Sequence, residues 1–222
     1  MKDTEFPGVV ARPRNSFKHW LGYGYRLVAD NVNMLKLIQL GLTFFNEKVS
    51  LSLCIFRVFF HTHFSISEIS ISNPLVFAVS GRMEKGETPR PISTLQFNFR
   101  FNVERDMFAP DSVELLIRSG IDFAVLQKEG IEHAVFAEVA TMSGLVLNDD
   151  VRWICFHGAY DFGYLVKTLC SRNLPKKEAD FFYLLHKYFP SVYDLKVCCI
   201  RSRAALYFEW TSPLSIPCVF ML

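Results

Sequence analysis

The chain has 222 residues and a formal net charge of +2, and half of its residues are hydrophobic. This length allows a sizeable core, and so small a charge gives no argument for nucleic acid or a membrane surface, although a local groove is enough to bind a single strand. The six Cys contain no Cys-x-x-Cys pair. We therefore expect no zinc site and interpret them as reduced thiols of a nuclear or cytosolic protein. Lys2-Asp3-Thr4-Glu5 is too polar for a secretory signal, and no apolar run approaches the ~20 residues that a bilayer requires, so no membrane partner is expected.

Apolar spacing predicts a helix followed by two strands. Residues 23–36 have the spacing of an amphipathic helix. Residues 37–45 and 96–102 alternate between apolar and polar side chains, which is typical of strands, and we expect these two to pair antiparallel. Their apolar faces carry Ile38, Leu40, Leu42 and Phe44 in the first strand and Phe97, Phe99 and Phe101 in the second.

The second half of the chain predicts further helices and two short strands. Asp111 and Glu114 resemble a capping box that opens a helix ending at Gly120, with Leu115 and Leu116 on its core face. Residues 136–142 predict a short helix. Pro175 opens a later one that Pro190 ends. Residues 192–194 are apolar enough for a last strand.

Two segments show the apolar spacing of neither a helix nor a strand. Residues 48–94 are rich in Phe, Ile and Ser without a steady period and then become polar, so we interpret them as an insertion. Residues 198–222 form a divergent tail. The predicted organisation is a single domain over residues 1–197, interrupted at about 48–94.

Two places in the sequence are candidates for carboxylate chemistry. Residues 151–156 predict a buried strand, and a turn then leads into a helix that begins at Asp161. This order places Asp161 at the carboxyl end of a strand, where open α/β sheets bind ligands. Asp3 and Glu5 would share one face of a strand with Thr4 on the other face, and two such carboxylates repel unless a cation lies between them. The alternative for Asp3 and Glu5 is a solvated, frayed terminus.

Six short motifs follow one another along the chain. They are Asp3-Thr4-Glu5-Phe6-Pro7-Gly8, Leu35-Lys36-Leu37-Ile38-Gln39-Leu40-Gly41, Gln96-Phe97-Asn98-Phe99, Asp111-Ser112-Val113-Glu114, Tyr160-Asp161-Phe162-Gly163 and Phe189-Pro190-Ser191-Val192-Tyr193-Asp194. Each motif alone is weak, but together they are specific, and they cover about residues 1–47 and 95–197. In this order they resemble the poly(A) ribonucleases of the DEDD type that belong to the Ccr–Not deadenylation complex (CCR-associated factors), most of all their plant members.

The resemblance implies an α/β fold of the ribonuclease-H type, with a mixed central sheet flanked by helices and truncated at the C-terminus. It implies a 3′-to-5′ exoribonuclease that removes poly(A) from mRNA and releases AMP, with two Mg²⁺ (or Mn²⁺) ions. Asp3, Glu5 and Asp161 match the family's catalytic metal ligands. The implied partners are the poly(A) tail, the large scaffold subunit and the second deadenylase subunit of the complex, in nucleus and cytoplasm.

Further residues have two interpretations each. Phe6, His157 and Leu165 lie beside the metal ligands and are candidates for contact with RNA. The alternative for Phe6 and Leu165 is packing in the core, and for His157 a structural hydrogen bond to a nearby carbonyl. Asp194 matches a family position that is not a metal ligand, so we interpret it as structural. Arg12, Arg14 and Lys18 could meet phosphates or form a solvated loop.

The family pattern is interrupted in the tail. The resemblance implies a His-x-x-x-x-Asp element that supplies the general base and a fourth carboxylate, yet there is no His after His186 and no Asp after Asp194. In addition, Asn33 stands where the family usually has Asp. The alternative function is therefore a catalytically impaired or inactive family member that acts only as a complex-binding module.

Overall fold

A computed structural model describes the backbone of residues 2–12, 20–45 and 92–196, and the side chains of residues 4–12, 23–44 and 95–196. Most of the predicted insertion and the whole predicted tail lie outside these residues, as do Arg14 and Lys18. The described residues form two compact units, one of residues 3–8, 37–45 and 92–132 and the other of residues 9–12, 20–36 and 133–196. The prediction of a single domain stays a prediction.

Both units contain helices and strands, which confirms the predicted α/β class. In chain order the elements are β1 (Lys2–Glu5), α1 (Trp20–Met34), β2 (Gln39–Phe45), β3 (Ile92–Asn98), α2 (Pro110–Arg118), α3 (Phe123–Glu129), α4 (His133–Met142), β4 (Arg152–Cys155), α5 (Ala159–Cys170), α6 (Glu178–Tyr188) and β5 (Ser191–Asp194).

The first unit contains a three-stranded sheet in the order β1-β2-β3. β2 and β3 pair antiparallel as predicted, with Leu40 opposite Phe97. The predicted core face of β2 is buried except at Phe44, which is 38% exposed near the end of the strand. β3 ends earlier than predicted, at Asn98. The next residue, Phe99, is buried and forms an isolated parallel bridge with Ile131.

The helices of the first unit depart from the prediction in two ways. Ala109, not Asp111, is the N-cap of α2, and no side chain caps this helix, so the predicted capping box is wrong. Leu115 is 63% exposed, whereas Val113 is buried beside Leu116. Val113 and Leu116, which are three residues apart, therefore form the apolar face of α2. Both belong to a core cluster with Ile38, Phe101, Phe123 and Leu126.

Helix α3 was not predicted, and its start has a clear local cause. The side chain of Asp122 accepts hydrogen bonds from the backbone N–H groups of Ala124 (2.9 Å) and Val125 (3.2 Å). These bonds satisfy amides that have no partner in the first turn of a helix.

The second unit packs α1, α4, α5 and α6 with a parallel pair of strands, β4 and β5. Trp153 of β4, Phe162 of α5 and Phe189 form an aromatic cluster with edge-to-face contacts, the Trp153 and Phe189 ring centroids being 4.8 Å apart. Helix α6 begins at Glu178, after the predicted start at Pro175. The carbonyl of Pro175 instead accepts a hydrogen bond of 2.5 Å from the hydroxyl of Tyr25.

Among the residues that the structure describes, no helix is long and apolar enough to cross a bilayer.

Candidate active site

The strand that carries the first candidate carboxylates has the predicted alternation. Thr4 is buried and Glu5 is partly exposed, so neighbouring side chains of β1 point to opposite faces. The carbonyl of Glu5 accepts the N–H of Ile38 at 2.9 Å, and the carbonyl of Pro7 accepts the N–H of Ala109 at 2.8 Å. Two backbone hydrogen bonds therefore fix this segment in the first unit. The backbone of Asp3 belongs to β1, and its side chain lies outside the described ones.

The second candidate carboxylate lies where one strand turns into a helix. β4 ends at Cys155, and Asp161 stands in the first turn of α5, which begins at Ala159. Asp161 is partly exposed. Its placement after the carboxyl end of a parallel strand is as predicted, and a carboxylate at this position also interacts favourably with the positive end of the helix dipole.

The turn between β4 and α5 has an unusual backbone. His157 adopts a left-handed conformation with φ of 59°, which costs a residue with a β-carbon about 1–2 kcal/mol. Gly158 follows as the N-cap of α5. A β-carbon built on Gly158 would lie 2.8 Å from the Sγ atom of Cys155, so the close approach of strand and turn requires glycine here.

A buried carboxylate from the neighbouring strand fixes this turn. Asp194 is only 1% exposed. Its Oδ1 accepts the N–H of His157 and its Oδ2 accepts the N–H of Gly158, both at 3.0 Å. Because β4 and β5 are parallel with Cys155 opposite Asp194, the two strands end at the same edge. The structural interpretation of Asp194 agrees with these contacts.

The predicted RNA-contacting residues differ in exposure. Phe6 is partly exposed in the first unit, and the side chain of His157 is exposed in the second. Leu165 is 2% exposed within α5, which favours core packing over contact with RNA. The imidazole of His157 makes no hydrogen bond with another residue in the described part of the chain, so the geometry gives no support for the predicted carbonyl bond. The role of all three in RNA binding stays a prediction.

Two phenols near Asp161 remain protonated at neutral pH. Burial raises the pKa of Tyr160, with a smaller contribution from Tyr23. Burial also raises the pKa of Tyr164, with a further contribution from Tyr160. Neither phenol is therefore suited to take a proton from water near neutral pH.

The available donors are chemically suited to a hard divalent cation. Glu5 and Asp161 offer carboxylate oxygens with partial exposure, which are the ligands that Mg²⁺ prefers. Within the side chains that the structure describes, no group of three or more His, Cys, Asp and Glu residues is arranged to hold a metal ion. Glu5 lies in the first unit and Asp161 in the second. That these carboxylates share ions with Asp3 remains a prediction.

The contacts of two supporting residues, Asn31 and Asn33, were not predicted from the sequence. Asn31 is fully buried in α1, and its Oδ1 accepts the N–H groups of Val10 (2.7 Å) and Ala11 (2.8 Å), five and six residues after the end of β1. The Oδ1 of Asn33 accepts the N–H of Leu174 at 2.7 Å. These partners lie far apart in sequence, so spacing alone could not reveal them.

The fold and the site define an α/β protein with acidic side chains at the ends of two strands. Comparison with known proteins gives the family. Residues 2–148 match the CAF1 family ribonucleases. The chain belongs to this family.

Relatives and solved structures agree with this assignment. The chain is 43% identical over 195 residues to the probable CCR4-associated factor 1 homologs 7 and 10 of Arabidopsis thaliana, covering 87% of this chain and 59% and 58% of the relatives. It is 41% identical over 194 residues to the poly(A) ribonuclease pop2 of Schizosaccharomyces pombe, covering 87% of this chain and 47% of that protein. The chain therefore spans about half to three fifths of these relatives.

Two solved structures are similar to the chain. The S. pombe Pop2p structure in its Mg²⁺- and Mn²⁺-bound form matches with a TM-score of 0.66 and 40% identity, covering 89% of this chain and 64% of that one. A yeast CAF1 structure co-crystallized with the NOT1 MIF4G domain matches with a TM-score of 0.60 and 27% identity, covering 93% of this chain and 63% of that one.

Proposed function

We propose that this chain is a Mg²⁺-dependent 3′-to-5′ exoribonuclease that shortens the poly(A) tail of mRNA and releases AMP, with Mn²⁺ as a substitute metal. One observation carries the proposal: Asp161 stands in the first turn of α5, beyond the carboxyl end of the β4–β5 pair, in a chain of the CAF1 ribonuclease family. Relatives include a poly(A) ribonuclease and a Pop2p structure that binds Mg²⁺ and Mn²⁺.

The proposed metal ligands are Asp3, Glu5 and Asp161. These residues would hold two divalent ions, which would supply a water nucleophile near neutral pH and stabilise the leaving 3′ oxygen. The backbone around the proposed ligands keeps their carboxylates in place. Backbone hydrogen bonds fix the Glu5 segment, and the turn bonded to Asp194 fixes the start of the helix that carries Asp161. The partly exposed Phe6 and the exposed His157 are proposed to contact the terminal nucleotides.

An RNA-shortening assay tests this proposal. The purified chain is incubated with Mg²⁺ and an RNA labelled at its 5′ end that carries a 3′ adenylate tail, and a uridylate-tailed RNA serves as the substrate control. We expect a ladder of products shortened from the 3′ end, loss of the ladder with a chelator, and loss in Asp161→Asn. Asp149→Asn is the matched control, since Asp149 is an exposed carboxylate of the same unit outside the site. Equal activity of wild type and Asp161→Asn would contradict the proposal.

A specific sequence observation favours a second candidate function. Residues 195–222 contain neither His nor Asp, so they cannot supply the general base and fourth carboxylate that the family resemblance implies. Loss of a general base costs about 10²–10⁴-fold in rate. The second candidate is a complex-binding module that docks on a scaffold subunit and on the second deadenylase subunit. A CAF1 structure contains the NOT1 MIF4G domain, which supports the first of these partners.

Binding and activity assays together distinguish the two functions. Co-purification with a NOT1-type MIF4G domain, without shortening of the adenylate-tailed RNA, would reject the enzyme and support the module. Shortening that depends on Asp161 would support the enzyme. We also propose that the chain is present in both nucleus and cytoplasm, because its proposed substrate, mRNA, occurs in both. A fluorescent fusion confined to one compartment would contradict that part.

A further inference from the structure

We propose that Asp194 is a positioning residue for the metal site: its buried carboxylate fixes the turn from which Asp161 is presented, and thereby sets the affinity of Asp161 for a divalent cation. This inference rests on the proposed function, since it assumes that Asp161 is a metal ligand. In this role Asp194 contacts neither the substrate nor the metal. It acts through the backbone of His157 and Gly158.

Both carboxylate oxygens of Asp194 accept hydrogen bonds from the backbone. Its two oxygens accept three backbone N–H groups, each at 3.0 Å: those of His157 and Lys196 at Oδ1, and that of Gly158 at Oδ2. The side chain is 1% exposed, so these bonds are made with little competition from water. Hydrogen bonds to an ionised group are stronger than those between neutral groups. The carboxylate therefore ties the end of β5 to the turn after β4.

The turn that Asp194 holds is one that the local sequence does not favour. His157 has a β-carbon and a φ of 59°, a conformation that is uncommon for residues other than glycine. Gly158 is the N-cap of α5 yet has no side chain with which to cap it. The long-range bonds from Asp194 hold the two residues that precede the helix, His157 and Gly158. Asp161 follows Gly158 by less than one helical turn, so a shift of the turn carries over to its carboxylate.

A merely structural carboxylate would stabilise the unit without affecting metal binding. If Asp194 positions Asp161, its replacement should also weaken metal binding, because removal of the groups that orient metal ligands costs about 10–100-fold in metal affinity. Asp194→Asn is the informative substitution. Asn keeps the shape and one oxygen for His157, but it places an NH₂ donor against the N–H of Gly158.

The test measures metal affinity and local opening in the full chain. Mn²⁺ alone is titrated calorimetrically into wild type, Asp194→Asn and Leu185→Ala at a temperature where all three are folded. Leu185 is a buried core residue of α6 in the same unit, so this control loses stability without a change in the turn. Hydrogen exchange of the Gly158 amide is followed in the metal-free proteins. If Asp194→Asn gives no cooperative melt, Asp194→Glu, which keeps both oxygens on a longer chain, replaces it with the same expectations.

We expect Mn²⁺ affinity about tenfold or more weaker in Asp194→Asn, and faster exchange at Gly158, while Leu185→Ala keeps the wild-type affinity and the wild-type exchange at Gly158. Equal affinity in wild type and Asp194→Asn would overturn the positioning role and leave the proposed function intact. An equal loss of affinity in Leu185→Ala would also overturn it, because stability alone would then explain the effect. No Mn²⁺ binding by wild type would overturn the proposed function and the positioning role with it.

Discussion

At the scale of single residues, the turn after β4 shows how a few side chains determine the path of the backbone. His157 adopts a conformation that glycine adopts more readily, and Gly158 occupies a space with no room for a β-carbon. The sequence predicted a turn at residues 157–159 because of its small residues. It could not predict that His157 would carry the left-handed conformation, since the compensating hydrogen bond comes from Asp194, far along the chain.

Replacing His157 with Gly separates the role of its backbone from that of its ring. We expect His157→Gly to retain or increase the free energy of unfolding, by up to about 1–2 kcal/mol, because Gly is not strained at positive φ, although it loses more entropy on folding. If the ring contacts RNA, affinity for an adenylate oligonucleotide falls. Urea unfolding and oligonucleotide titration measure the two effects. Ser171→Gly is the control, because Ser171 is also left-handed but lies at the far end of α5. A large loss of stability in His157→Gly would contradict this account.

Replacing Gly158 with Ala tests the close approach of the turn to β4. The added β-carbon would lie 2.8 Å from the Sγ atom of Cys155, so something must shift, at a cost of about 1–3 kcal/mol in the free energy of unfolding. Urea denaturation measures this loss. In Cys155→Ala the sulfur is absent, so adding Gly158→Ala to that variant should cost less than it does in wild type. Equal costs in both backgrounds would show that the sulfur is not the obstacle.

At the scale of elements, long-range polar contacts determine how α1 packs in the second unit. The Nζ of Lys167 in α5 donates to the carbonyls of Val32 (2.7 Å), Asn33 (3.3 Å) and Leu35 (2.8 Å) at the end of α1. A cation at a helix C-terminus satisfies carbonyls without partners and interacts favourably with the helix dipole. Sequence spacing located both helices, but their connection depends on tertiary structure.

Removing the Lys167 ammonium should therefore weaken the second unit. Burial lowers the pKa of Lys167, with a smaller contribution from Lys36. The cost of removing the ammonium from water therefore cancels part of the stabilisation that its hydrogen bonds provide. We expect Lys167→Met to reduce the free energy of unfolding by about 1–3 kcal/mol. Lys187→Met, at an exposed position of α6, should change it by less than about 0.5 kcal/mol. Chemical denaturation at neutral pH compares the two, and equal effects would contradict the proposed cap.

The contact between α1 and the segment before α6 should depend on pH. Burial, together with Glu178 and Asp180, raises the pKa of Tyr25 to about 12. Its neutral hydroxyl donates to the carbonyl of Pro175. Because the folded pKa is above the unfolded value of about 10, this stabilisation is fully present below pH 10 and is lost as pH rises through about 12.

The difference in unfolding free energy between wild type and Tyr25→Phe isolates this effect. Subtraction removes the contribution of other groups that titrate in alkali, such as Lys167. We expect wild type to be the more stable at pH 8 and its advantage to shrink between pH 10 and 12, since Phe cannot ionise. Urea melts across this range measure the difference. A constant difference would show that Tyr25 does not titrate as proposed.

At the scale of the whole molecule, sequence periodicity predicted most of the elements and the class of fold. It succeeded where burial determines the pattern, as in Phe162 and Val166 of α5, both fully buried. It failed at the exposed Leu115, which was assigned to the core because it is apolar and adjacent to Leu116. Helix α3 was missed although its N-cap, Asp122, is a local signal, because seven residues are too few to show a clear apolar period. The family motifs pointed to Asp161 as a metal ligand, which stays a prediction, whereas the hydrogen bonds from Asp194 to the preceding turn required the structure.

The central proposal is that Asp3, Glu5 and Asp161 are ligands of the same divalent ions. Mn²⁺ broadens the NMR signals of nearby amides, so one titration of the full chain reports on Glu5 and Asp161 together. We expect both amide signals to broaden with the same midpoint, and Asp161→Asn to weaken the broadening at Glu5 as well as at its own position. Broadening at only one of them, or broadening at Glu5 that is unaffected by Asp161→Asn, would contradict it.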